Sequence, residues 1–147
     1  MYIEQATAPS PELAQALDRL VPQLTRRSRS PGGSCLAELL ADTSTSLLVV
    51  KHPDAKAPIV AAGCLCIYRA ITGVRAVVED VVVDDAWRGR GIGELLVRRL
   101  LELAREKGAR GVSLTSNPDR AAANRLYVRL GFTRRQTNFY YYEFAGG

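Results

Sequence analysis

The run Trp87-Arg88-Gly89-Arg90-Gly91-Ile92-Gly93 sets three alternating glycines between a strand-like segment and an amphipathic helix. Before it, Val77-Val78-Glu79-Asp80-Val81-Val82-Val83 is short and β-branched, as a buried strand is. After it, Glu94 to Lys107 carries Leu95, Leu96, Leu100, Leu101, Leu103 and Ala104 at helical spacing. The first N–H groups of such a helix have no backbone partner, and the helix dipole adds positive potential there. Gly91 and Gly93 remove side chains that would keep an anion from those donors, and Arg88 and Arg90 add charge. The turn is therefore expected to hold a phosphate-bearing ligand.

Spacing narrows the choice of ligand. A P-loop would need Lys-Ser or Lys-Thr after its last glycine, and neither follows. The dinucleotide fingerprint is Gly-x-Gly-x-x-Gly, whereas glycines 89, 91 and 93 are evenly spaced. Only one strand-like segment precedes the next helix, too little for a doubly wound sheet. What stands here is Arg-x-x-Gly-x-Gly, from Arg88 to Gly93. A second block lies downstream, with Asn117, Asn124, Tyr127, Gly131 and Phe132 in a segment of helical pattern that Gly131 stops. Asn117 or Asp119 is placed to cap that helix.

Together these blocks resemble the GNAT superfamily of N-acetyltransferases. Arg88–Gly93 is similar to its acyl-CoA pyrophosphate loop, and Asn124, Tyr127 and Gly131-Phe132 nearly reproduce its Asn-x-x-x-Tyr-x-x-x-Gly-Phe pattern. The Asn–Tyr step is three residues here, a spacing that also occurs in the family. The resemblance runs over roughly residues 59 to 144. It implies acetyl-CoA as co-substrate, attacked directly by the amine of an acceptor without an acyl-enzyme. It also implies that backbone N–H groups of Arg88, Gly89, Arg90, Gly91, Ile92 and Gly93 receive the pyrophosphate. Val81, Val82 and Val83 would pair through their backbone with the pantetheine arm, as an added strand would. A backbone N–H near Val82 would polarise the thioester carbonyl, and Asn117 and Asn124 would bind the cofactor arm. Tyr127 would protonate the departing thiolate, since a phenol titrates near 10, above a thiol. Packing on a helix face is the plainer role for the same tyrosine.

The base is read from the residues themselves. Glu79 and Asp80 interrupt an apolar strand, where an acid is costly unless partnered. Glu79 shares parity with Val81 and Val83 and is the candidate base, directly or through a water. The Glu-Asp pair is similar to that of glucosamine-6-phosphate N-acetyltransferases. Pairing with an arginine or capping backbone donors is the competing role for either acid. Tyr140, Tyr141 and Tyr142 are expected in strand packing and pocket wall.

The fold expected is α+β, a mixed and mostly antiparallel sheet flanked by helices, as GNAT-like acyltransferases have. A strand at Met1–Thr7 precedes a helix capped by Ser10 with Leu13, Leu17, Leu20 and Leu24 on one stripe. Arg26 to Gly33 reads as a mobile basic loop, and Ser34 as the cap of a short helix ending near Ala41. Strands follow at 46–51, at 59–71 with Gly63 marking a bulge, and at 74–83 after a Thr72-Gly73 turn. A strand at 111–115, the second motif helix, and a pair of strands at 132–135 and 138–144 complete the order. At 147 residues the chain reads as a single domain, residues 1–147.

A net charge of +5 fits a polyphosphate cofactor as well as nucleic acid, but no aromatic platform of the RNA-binding type accompanies the arginines, which disfavours nucleic acid. Cys35, Cys64 and Cys66 form no disulfide framework, and with one histidine, His52, no metal site is expected. No stretch is apolar enough to span a bilayer, and Met1–Ser10 lacks the regions of a signal peptide, so a cytoplasmic location is expected. Homodimerisation through the C-terminal strands is common in such folds. The reading is an acetyltransferase acting on an amine of a small molecule or protein. The alternative is a non-catalytic acyl-CoA sensor or interaction module, against which the retained Tyr127 argues.

Overall fold

In the computed structural model, which describes residues 1–24 and 29–146, a five-stranded sheet runs in the order β1-β2-β3-β4-β5. The strands are β1 (Tyr2–Ala6), β2 (Thr45–Lys51), β3 (Ile59–Ala70), β4 (Gly73–Val83) and β5 (Val112–Ser113). The first four pair antiparallel and β5 joins β4 in parallel, so the sheet is mixed and mostly antiparallel as expected. The helices are α1 (Pro11–Leu20), α2 (Gly33–Ala41), α3 (Ile92–Glu106) and α4 (Ala121–Arg129). Short 3-10 turns follow α1 at Val21–Gln23 and precede the glycine run at Asp85–Trp87. Arg26 and Arg27, in the expected basic loop, lie outside the described residues.

Each face of the sheet closes over its own apolar layer. On one face Leu48, Val50, Leu65, Ala76 and Val78 meet Ile92, Leu96 and Leu100 of α3. On the other, Leu47, Val49, Ala62, Cys64 and Val82 meet Leu13, Leu17 and Leu20 of α1 and Leu36 of α2. The α1 stripe is the one its leucine spacing predicts, and the Ser10 hydroxyl accepts the Leu13 N–H at 3.1 Å as its cap. Ser34 does not cap α2. Gly32 holds the cap position without a side-chain bond, and Ser34 lies inside the first turn.

Three expectations change in the sheet. The bulge opposite Gly63 belongs to β4 rather than β3. Ala62 pairs with Val82 and Cys64 with Glu79, so two residues of β4, Asp80 and Val81, stand against Gly63 alone. Asp80 takes φ 55°, a left-handed conformation that aspartate tolerates better than most residues. The extra residue inverts the alternation. Ala76 and Val78 face α3 before it, and Val81 and Val83 face α3 after it. Glu79, paired with Cys64, therefore shares its face with Val82 and not with Val81 and Val83 as simple parity predicts.

The β3–β4 turn is Ile71-Thr72, one residue early, with Gly73 at φ 126° already pairing with Ala70. The third change lies at the C-terminus, where no described residue from Phe132 to Phe144 joins a ladder. The strand that would receive them is two residues long, too short an edge to template another. Phe139, Tyr140, Tyr141, Tyr142 and Phe144 are left exposed, so the three tyrosines neither pack in a strand nor wall a pocket.

Candidate active site

The site begins where β4 and β5 part. They pair only at Ala76–Val112 and Val77–Ser113, so from Val78 to Val83 the β4 edge on that side carries no ladder. The gap opens into a cavity of about 210 Å³ lined by residues that include Glu79, Asp80, Val81, Ser116, Arg120 and Tyr127. Unpaired β4 edge and polar lining together suit an extended ligand with amide groups.

At the end of β4 the chain turns through Asp84–Trp87 into the glycine run. Asp84 caps this turn through its bond from Ala86 N, and Arg19 of α1 pairs with it at 2.7 Å. Partial burial pushes the Asp84 carboxyl up, but Arg19 and the Ala86 N–H outweigh it and hold the group below its ordinary value. The Gln23 side-chain carbonyl accepts the Asp85 N–H at 2.8 Å. Helix α1 and the turn after it thus fix the entry to the loop from outside the loop.

Gly91 is the N-cap of α3 at φ 78° and ψ 4°, and it offers no side-chain cap. The N–H groups of the first turn, from Ile92 to Glu94, therefore have no intrahelical acceptor. A β-carbon at Gly89 or Gly91 would meet nothing within 4 Å, so both face open space. Gly93 differs from the expectation that it clears room for an anion. Its β-carbon would point inward, 3.4 Å from Leu126 and 3.5 Å from Val83. Ile92 likewise offers only its backbone, since its side chain is buried against the sheet. Arg88 is already engaged, pairing with Asp85 at 2.6 Å and donating to the Val83 carbonyl at 3.2 Å. The Arg90 guanidinium lies 4.8 Å from the centre of the Trp87 ring, a cation–π contact that holds it beside the loop. Glu94, the acid of the first turn, is drawn away by Arg98 and Arg129.

Among the catalytic candidates, Tyr127 is buried in α4, and its ring meets Phe132 edge-on at 5.7 Å between centroids. Burial pushes its phenol up from the ordinary value, opposed by the positive charge of Arg120. Glu79 lines the same cavity from β4, and its carboxyl is raised by burial and by the neighbouring charge of Asp80. Val81 lines the cavity, while Val82 is buried on the opposite face of the strand and Val83 is half-buried beside α3. The glycine run, the open β4 edge, Glu79 and Tyr127 are thus brought to one end of the sheet.

The expected cap of α4 is not found, and the two asparagines brace its entry instead. Neither Asn117 nor Asp119 caps α4, whose N-cap is Arg120 with no side-chain bond. Asn117 instead makes a local turn, its side chain accepting Asp119 N–H at 2.9 Å. Its backbone carbonyl accepts from Arg120 N–H and from the Asn124 side-chain amide, each at 3.0 Å. Asn124 therefore clamps the entry to α4, and its amide oxygen remains for a ligand. Two lining residues escape a reading of the sequence. The Ser116 hydroxyl is buried without a partner, and the Arg120 guanidinium reaches the Val81 carbonyl at 3.4 Å. Both depend on the parting of β4 from β5, which no local pattern announces.

Comparison with known proteins agrees with this geometry. Residues 13–132 match the profile described as the acetyltransferase (GNAT) family. A protein of Oryza sativa subsp. japonica named "Probable glucosamine 6-phosphate N-acetyltransferase 2" is 40% identical over 107 residues, covering 69% of this chain and 63% of that protein. Glucosamine 6-phosphate N-acetyltransferase 1 of the same plant is 38% identical over 101 residues, covering 67% of this chain and 59% of its own length. The chain thus spans about 60% of the length of these curated relatives. A Trypanosoma brucei acetyltransferase of solved structure superposes with a TM-score of 0.74 at 25% identity, covering 97% of this chain and 100% of that one. Among the described residues no helix is long and apolar enough to cross a membrane, and no group of three or more potential ligands is placed to hold a metal ion.

Proposed function

Because the chain belongs to the acetyltransferase (GNAT) family, we propose that it transfers an acetyl group from acetyl-CoA to a primary amine. The observation that carries the reading is the conjunction of an uncapped α3 N-terminus, with open space at Gly89 and Gly91, and an unladdered β4 edge leading from it to Tyr127. The first suits a pyrophosphate and the second an amide-bearing arm.

The thioester supplies an activated acetyl carbon and a leaving group that departs as thiolate. The backbone N–H groups from Arg90 to Gly93 receive the pyrophosphate, and the Arg90 charge adds to the field there. The β4 edge from Val81 to Val83 orients the arm, with a backbone N–H at the bulge available to the carbonyl oxygen. Glu79, with its carboxyl raised toward neutral pH, takes the proton of the attacking amine directly or through a water. Tyr127, kept protonated by burial, gives its proton to the sulfur as the C–S bond breaks and regains one from solvent. Amine nitrogen ends on the acetyl carbon, and CoA leaves as the thiol.

The acceptor is an amine of a small molecule or a protein. The names of the two rice relatives make an amino-sugar phosphate the first acceptor to try. Titrating acetyl-CoA into the purified chain while following its melting temperature tests the reading. Ligand at about 100 times its dissociation constant stabilises a fold by roughly 2.7 kcal/mol, a rise of several degrees. No rise at saturating acetyl-CoA refutes the assignment. A rise with no thiol release for any amine favours the sensor alternative.

A further inference from the structure

We propose that Arg120 is the cation that faces the departing thiolate, acting on the reaction through Tyr127 and through the charge of the cavity they share. The inference rests on the acetyl-CoA reading above. Arg120 is half-buried at the start of α4, and no acid pairs with its guanidinium among the described residues. Its one side-chain hydrogen bond there is the 3.4 Å contact to the Val81 carbonyl, on the edge that β5 leaves open. A half-buried cation held by one long bond to a neutral acceptor lacks the anion that would balance its desolvation. Arginine carries five donors, so most of its capacity is unspent.

The backbone beneath this side chain is fixed. The Asn117 carbonyl accepts the Arg120 N–H, Asn124 N–H bonds to the Arg120 carbonyl at 3.0 Å, and the Asn124 amide braces Asn117. The guanidinium thus projects from a fixed backbone and is tied at its far end by the Val81 contact alone among the described residues. An amide of the entering arm that takes over the Val81 carbonyl frees it toward Tyr127. Among the described residues, the charged and titratable groups facing that space are Glu79 and Asp80 from β4, Arg120, and Tyr127 itself. When the C–S bond breaks, its electron pair goes to sulfur and the phenol proton follows. Either division of that proton leaves one negative charge, on sulfur or on phenolate oxygen, beside Arg120. The Asp80 carboxylate, and Glu79 whenever it is ionised, oppose such a charge, so the arginine also shields the sulfur from them.

A binding measurement without acceptor tests this. CoA and desulfo-CoA differ at the sulfur, so their affinity ratio reports what the site does to that atom. A cysteine thiol titrates at about 8.5 and the plain alkyl thiol of CoA above that, and each unit by which the site lowers it raises the ratio by up to about tenfold in alkali. With the full chain, the preference for CoA over desulfo-CoA should grow about tenfold between about pH 7 and pH 9.5. In Arg120→Gln that growth should shrink to about threefold or less, and Arg120→Lys, which keeps the charge, should lie between. An unchanged desulfo-CoA affinity in Arg120→Gln shows that the seat is intact. Equal growth in wild type and Arg120→Gln, or none in wild type, overturns the proposal while leaving the acetyl-CoA reading standing. Failure of both ligands to bind wild type removes that reading and this inference with it.

Discussion

Alanine at Gly91 and alanine at Gly93 should have opposite effects, although the two positions look equivalent in the glycine run. Gly91 sits at φ 78°, where a β-carbon strains the backbone by about 1–2 kcal/mol. No atom lies within 4 Å of that β-carbon, so no packing gain offsets the strain. Unfolding entropy near about 2.1 cal/mol/K per residue gives about 0.3 kcal/mol/K over 147 residues. Gly91→Ala should therefore lower the melting temperature by about 3–6 °C. Gly93 lies in the first turn of α3 with helical backbone, and its β-carbon would rest at ordinary contact distance from Leu126 and Val83. Gly93→Ala should raise the melting temperature by about 1–3 °C, since alanine is favoured over glycine in a helix by up to about 1 kcal/mol. Binding should separate the pair further. The Gly91 β-carbon enters the open space before the helix N-terminus and should weaken acetyl-CoA about tenfold, or about 1.4 kcal/mol. The Gly93 β-carbon points away and should leave affinity within about threefold. Thermal melts with and without acetyl-CoA give both numbers for both variants. Equal loss of binding in the two, or destabilisation by Gly93→Ala, would refute the inward direction assigned to that position.

Tyr127→Phe should bind acetyl-CoA as wild type does but lower kcat about 100-fold, measured by thiol release under saturating acceptor. Glu79→Gln should lower kcat/KM at least about tenfold and remove its acidic limb, which in wild type should lie above the ordinary glutamate value. Because the fold raises the Glu79 pKa, ionisation of that group costs stability as pH rises through it, so Glu79→Gln should not melt earlier near neutral pH. Asp84 carries the opposite sign: its lowered pKa contributes stability above the ordinary aspartate value, and that contribution is lost as pH falls through the folded value. Melts of wild type and Arg19→Gln should therefore differ near neutrality and converge in acid. Leu100→Ala, at a side chain with 0% exposure between α3 and the sheet, should cost about 2–5 kcal/mol and lower the melting temperature by about 7–16 °C in the same assay.

The parts legible in the sequence are those whose signal is local. The β4 valines, the glycine run and the leucines of α3 each follow from spacing within a dozen residues, and the structure forms a strand, a turn and a helix there, though Gly93 points inward and the strand's parity breaks at Asp80. The bulge shows the limit. Gly63 looks like the irregular residue because glycine permits irregularity, yet the extra residue is Asp80 across the ladder, where Gly63 only makes room. Its β-carbon would approach Leu100 to 3.3 Å, so the glycine is there for close approach of α3. Because parity inverts at Asp80, the face of Glu79 is not deducible from a count of alternating residues. The C-terminal strands fail for a related reason. A strand needs an edge to pair with, and the length of β5 is not written in residues 132–144. Arg120 reads as one more charged residue at a helix start. Its role depends on a gap between two strands and on the lack, among the described residues, of an acid paired with its guanidinium.

An unladdered strand edge is also a hazard. From Val78 to Val83 the β5 side of the backbone carries no ladder, and apart from the Val81 and Val83 carbonyls, which Arg120 and Arg88 reach, it is open to pair with any extended chain, including the same segment of another molecule. The devices that discourage such sticking are a kink and misplaced charge, and both occur at one point, in the left-handed Asp80 and the adjacent Glu79. The acid pair is thus a guard against aggregation at the point where Glu79 stands as the proposed base. Replacing both acids with valine would complete an attractive apolar strand and expose it to its neighbours, and the chain should then precipitate unless a ligand covers the edge.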